Sequence, residues 1–189
     1  NRISRSRLLL PSMGLYAIAV WLLCGLVTDH LWLQFACFVI SSYLMVELNN
    51  SNALIRIYSR MVSCSFIMMV CMSTFLLQSS KGMLLSICVV MSFVMAFLSY
   101  QDKYSMGRIF YSFMSIGIGS MIDVSVLFFV PVMWLAMFFH LQSMTLRTFI
   151  SSLFGLVCPY WFVAVYLIYT NDITLAVEHF SQLAVFGKV

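Results

Sequence analysis

Seven apolar stretches alternate along this chain with short polar breaks, and the positive charges fall almost entirely in every second break. Threading such a chain back and forth gathers Arg2, Arg5, Arg7, Arg56, Arg60, Lys103, Arg108 and Arg147 on one face, with Lys81 opposite. Few folds tolerate that pattern. Side chains are 63% hydrophobic and 8% charged, whereas a water-facing domain carries about 25% charged residues. The solvent that suits this composition is a bilayer, and the useful count is of spans, each needing roughly 20 residues. The reading is an all-α, polytopic transmembrane helix bundle of about seven spans. Arginines before the first span put the N-terminus in the cytoplasm by the positive-inside rule.

The expected spans are Leu8 to Val27, Leu31 to Val46, Met61 to Leu77, Gly82 to Tyr100, Ile109 to Met121, Val124 to Phe139 and Phe149 to Tyr169. Pro11 falls in the first turn of the first span, where its missing N–H costs least. The run Glu47-Leu48-Asn49-Asn50-Ser51-Asn52 reads as an inner loop rich in capping side chains. Little more than Ile122-Asp123 separates the fifth and sixth spans, so one re-entrant hairpin over 109–139 is the alternative. Pro159 predicts a kink in the seventh. Beyond residue 172, Thr174, Glu178, Ser181 and Gln182 share one helical face and Ile173, Ala176, Val177, Phe180 and Ala184 the other. This division makes 1–172 the transmembrane domain and 173–189 an outer-face amphipathic helix or the approach to a further span. The chain lacks an initiating Met and a recognisable cleavable signal, and a fragment of a longer protein is expected.

Function classes narrow by exclusion. The basic residues sit singly or in small groups beside apolar segments, which is a topology signal and not a nucleic-acid track. Cys24, Cys37, Cys64, Cys71, Cys88 and Cys158 all lie inside apolar stretches, where a free thiol packs as a small hydrophobe. Three histidines divided between the two faces offer no metal site, and neither metal nor cofactor is expected. No ionisable residue occupies the middle of a span, which weighs against ion-coupled transport.

Two sets of residues remain. Ser115, Gly117 and Gly119 in the fifth span and Ser151, Gly155 and Pro159 in the seventh form small faces on which helix backbones can approach closely. Arg56, Arg60, Arg108 and Arg147 are placed to meet anionic lipid headgroups. The acidic residues gather opposite them, with Asp29, Asp123, Asp172 and Glu178 outside against Glu47 and Asp102 inside. Asp29, Asp123 and Asp172 are therefore the candidates for any outer-face chemistry on a polar headgroup. Their plainer role is to end helices and shape turns.

The segment from Arg108-Ile109-Phe110 to Gly117-Ile118-Gly119-Ser120, with Phe128 to Trp134, Gly155 to Tyr160 and more loosely Asn52 to Arg60, resembles an uncharacterised family of polytopic inner-membrane proteins of Bacteroidota. Family members are longer, and some are labelled carotene-cleaving monooxygenases. That activity needs several His around iron, which three scattered histidines do not supply. The Gly-Ile-Gly-Ser segment, read as a turn before an apolar span with Pro131, is also similar to membrane glycosyltransferases that use polyprenyl-phosphate sugars. In those enzymes an acidic residue lies in a large first outer loop, and Asp29 is the matching position in a much shorter one. The resemblance implies a bacterial inner-membrane location. The arginines beside the spans make membrane lipids one expected partner, and the short loops, the lack of charge at mid-depth and the small-residue faces make other integral membrane proteins another. The leading expectation is a non-enzymatic helical subunit. A lipid-linked glycosyltransferase or lipid-handling protein with an outer acidic site is the alternative.

Overall fold

The computed structural model describes residues 9–27, 30–52, 61–73, 77–100, 102 and 104–170. Every regular element among them is helical. Three helices are long and apolar enough to cross a membrane, at Trp32–Asn49, Ser80–Phe97 and Leu146–Thr170, and three shorter apolar helical stretches accompany them at Leu10–Leu23, Val62–Met72 and Val124–Phe139. The chain divides into two compact units, Asn1–Val94 and Met95–Val189.

In the first unit α1 spans Leu9–Leu23, α2 Trp32–Asn52 and α3 Met61–Met72, and α4 spans Ser80–Phe97, its last three residues falling in the second unit. The end of α1 is set by Gly25, whose φ of 88° is open to glycine and strained for other residues. This left-handed residue lets the Leu26 N–H reach back to the Trp21 carbonyl at 3.1 Å and the Gly25 N–H to Leu22 at 3.4 Å, the paired bonds of a Schellman motif. Leu26 and Trp21 are both buried, which supplies the apolar contact that such a stop usually carries. Ser79 starts α4 by accepting the Gly82 N–H on its hydroxyl at 3.1 Å.

Two expected boundaries are corrected. Residues Glu47 to Asn52 continue α2 and do not form a loop. Residue types that favour caps end a helix only where the chain gains by leaving it, and Leu48 and Asn49 are buried by staying. The third span is shorter than its apolar run, because α3 stops at Met72. There the Ser73 N–H bonds to Val70, three residues back, the tightening common in a last turn.

Side-chain contacts give the direction of each helix. Trp21 near the end of α1 meets Phe35 and Phe38 near the start of α2, with ring centroids 5.5 and 5.7 Å apart. Ser63 at the start of α3 donates to the Met45 carbonyl late in α2 at 3.3 Å. Gln34 donates to Ser80 at 3.0 Å, and Ser41 and Ser86 hydroxyls lie 3.5 Å apart. Hence α1, α2, α3 and α4 alternate in direction, with α4 parallel to α2.

The second unit contains α5 (Met106–Ile122), a 3-10 helix η1 (Val124–Phe128), α6 (Phe129–Phe139) and α7 (Leu146–Thr170). The break between fifth and sixth segments falls at Asp123, which is extended, with φ −146° and ψ 118°. The Gly-Ile-Gly-Ser segment, read as a turn from the sequence, lies within α5. Glycine in a helix interior is costly by itself, and the cost is offset here by what Gly117 lets approach. Thr145 caps the start of α7, its hydroxyl accepting the Thr148 N–H at 3.2 Å while the Thr148 hydroxyl accepts the Thr145 N–H at 2.7 Å. That reciprocity is a capping box with threonine in place of the usual Glu or Gln.

Candidate functional site

The small residues of α5 and α7 meet along one seam. A Cβ placed on Gly117 would stand 2.7 Å from Pro159 Cγ and 2.9 Å from the Leu156 carbonyl oxygen, and one on Gly155 would collide with the Phe110 carbonyl. Real Cβ atoms do not approach that closely, so both positions admit only glycine unless the helices separate. Ser151 donates to the Met106 carbonyl across the same seam at 2.7 Å. Ser120 and Tyr160 hydroxyls lie 2.6 Å apart at its other end. The order of contacts, Met106 with Ser151, Phe110 with Gly155, Gly117 with Pro159 and Ser120 with Tyr160, rises along both chains together. α5 and α7 are therefore parallel, and η1 with α6 makes the return pass between them.

α6 is held to both. Trp134 stacks on Phe113 of α5 with ring centroids 6.4 Å apart, lies 5.2 Å from Phe149 of α7, and donates its indole N–H to Ser152 at 3.1 Å. Ser152 is fully buried and donates its own hydrogen bond to the Phe149 carbonyl at 2.7 Å. Burial leaves these two groups no water, and the Ser152 hydroxyl meets both needs, accepting from Trp134 and donating to the Phe149 carbonyl.

Of the sequence-nominated packing residues, Gly117, Ser151, Gly155 and Pro159 lie in the seam. Gly119 is buried in α5, and its carbonyl accepts the Asp123 N–H at 3.0 Å. Ser115 turns its hydroxyl back to Tyr111 of its own helix at 3.0 Å. Ser120, Tyr160, Ser152 and Trp134 were not singled out from the sequence. Ser120 follows Gly117 by one helical turn, and that spacing is the signal that points to it.

The charged residues of this unit separate by end. Parallel α5 and α7 bring Arg108 and Arg147, each in a first turn, to one end, and Asp123 follows the opposite end of α5. Arg108 forms an exposed ion pair with Asp102 at 3.7 Å and donates to the Leu98 carbonyl. It thus has protein partners at the depth where a lipid headgroup was expected. Asp123 accepts the Ser125 N–H at 2.9 Å and caps η1. Among the described residues no group of three His, Cys, Asp or Glu side chains could hold a metal ion. Asp29, Asp172, Arg56 and Arg60, together with 173–189, lie outside the described residues. No family model, curated protein or solved structure matches the chain.

Proposed function

We propose that this chain is a multi-pass protein of a bacterial inner membrane, with about seven passes and a cytoplasmic N-terminus, acting as a non-enzymatic helical subunit that packs against partner membrane proteins. The observation that carries this reading is the distal part of α7. Nine of the ten residues 161–170 are exposed, Leu167 excepted, although seven are large hydrophobics, from Trp161 to Tyr169. A helix apolar on all sides belongs in lipid or inside a larger assembly. Bilayer hydrocarbon and neighbouring helices are the two surfaces that suit it.

Charge placement supports the same reading. In the described helices Lys81, Arg108 and Arg147 lie in first turns and Glu47 in the second half of α2, so none of these charges stands at the middle of its helix. Gln34, Ser41, Ser120, Trp134 and Ser152 spend their polar atoms on hydrogen bonds within and between helices. Asp123, the described member of the outer acidic set, is engaged as a cap, which favours the subunit reading over an outer-face transferase.

Affinity purification from native membranes in mild detergent tests the proposal. Other integral membrane proteins are expected at fixed stoichiometry with this chain. Recovery of the chain alone as a monodisperse species, with no protein crosslinked to α7 in intact membranes, overturns it.

A further inference from the structure

α5, α6 and α7 of the second unit differ in length, and the shortfall falls open at one end. α5 has 17 residues and α7 has 25, about 25 and 37 Å at 1.5 Å per residue, against roughly 30 Å of bilayer hydrocarbon. η1 and α6, with 5 and 11 residues, make the return over about 26 Å. At the arginine end the segment before α5 is drawn in against it, because Arg108 donates to the Leu98 carbonyl and pairs with Asp102. At the opposite end Ser120 and Tyr160 meet. α5 stops two residues later at Ile122, whereas α7 runs on for ten, to Thr170. Nine of those ten are exposed, so no described element rises beside α7 beyond the turn at Asp123.

The turn has no means of its own to make up that difference. A short span can reach a distant headgroup layer by snorkelling long cationic side chains, but the turn reads Ile122-Asp123-Val124-Ser125, without lysine or arginine. Val124 is buried, and the Asp123 carboxylate is held on the Ser125 N–H at 2.9 Å. Asp123 is nevertheless exposed. A carboxylate facing hydrocarbon is costly, and local thinning of the bilayer with entry of water is the usual relief. Thinning is also how a bilayer accommodates a span shorter than itself. Both demands fall on the same turn.

We propose that the second unit thins the bilayer at one face, where phospholipid headgroups and their water descend around the α5–η1 turn to meet the Asp123 carboxylate, beside a distal α7 that still crosses hydrocarbon of full depth. Asp123 lies three residues past Ser120 and Thr170 ten past Tyr160, so the depression is about 10 Å deep. It lowers the cost of bringing a polar group into the membrane at this point. The inference rests on the reading of the chain as a multi-pass membrane protein, and partner subunits play no part in it.

Carboxylate labelling of the wild-type chain in vesicles of increasing thickness provides the test. The chain is reconstituted in dimyristoleoyl, dioleoyl or dierucoyl phosphatidylcholine and treated, with reagent on both sides of the membrane, with a water-soluble carbodiimide and glycine ethyl ester or with lipid-soluble dicyclohexylcarbodiimide. Peptide mass spectrometry then reads Asp123 and Asp102. Water-soluble labelling of Asp123 is expected in the thinner bilayers and is expected to fall several-fold in the thickest, where a depression of the same depth is harder to form. Asp102, at the arginine end, is expected to label equally in all three. Asp123 labelling that is independent of thickness places the turn at the ordinary surface, and labelling by dicyclohexylcarbodiimide alone places it in dry hydrocarbon; either overturns the proposal. Washing the vesicles with alkaline carbonate checks the membrane reading separately: a chain that washes off ends that reading and this inference with it, and a chain that stays leaves the labelling to decide.

Discussion

Gly155 and Gly107 are both helical glycines, yet their surroundings make opposite demands. At Gly155 an added methyl meets the Phe110 carbonyl, whereas at Gly107 nothing lies within 4 Å. Gly155→Ala is expected to push α5 and α7 apart and lower stability by about 1–3 kcal/mol, the usual cost of overpacking. Gly107→Ala is expected to be neutral or to stabilise by up to about 1 kcal/mol through helix propensity. Thermal unfolding of the two variants in one detergent compares them, and equal effects would show that the seam is looser than its geometry. Tyr160→Phe keeps the ring and deletes the hydroxyl that meets Ser120. Interhelical hydrogen bonds in membrane proteins average about 0.6 kcal/mol, so a small drop in unfolding midpoint is expected, smaller than that of Gly155→Ala.

Between elements, capping decides where helices start and stop. Asp123→Asn is expected to hold stability within a few tenths of a kcal/mol, because either side chain accepts the Ser125 N–H, while Asp123→Ala is expected to cost about 1 kcal/mol. Unfolding midpoints of the pair separate a cap from a carboxylate whose charge matters, since in the latter case Asn fails as badly as Ala. The break at Asp123 was legible in the sequence because a polar residue between two apolar runs has few other uses. The continuation of α2 through Glu47 and Asn49 was not, since cap-forming residue types look alike whether or not the helix leaves them behind. Nor was the seam fully legible. Small residues at Gly117 and Gly155 announce that something approaches closely, but the partner helix, its parallel direction and the Ser120 to Tyr160 contact depend on tertiary packing that no local pattern encodes.

On the scale of the molecule, exposure divides the aromatic residues into two classes that composition does not distinguish. Trp21 is fully buried at 0% and Trp161 is 67% exposed, although both sit in apolar helices. α7 has 25 residues against 17 in α5, so at 1.5 Å per residue it is longer by about 12 Å. The last seam contact is at Tyr160, and the remaining turns extend past it with apolar side chains all round. In water that surface would drive aggregation; in lipid it is an ordinary helix face. Variants retaining a single tryptophan, reconstituted alone in vesicles of brominated lipid, are expected to show strong quenching of Trp161 and weak quenching of Trp21. If partner subunits cover α7, Trp161 quenching is expected to fall when the copurified assembly is reconstituted in place of the isolated chain, with Trp21 unchanged. Equal quenching of Trp161 in both preparations would leave lipid as the covering surface and remove α7 as the subunit contact.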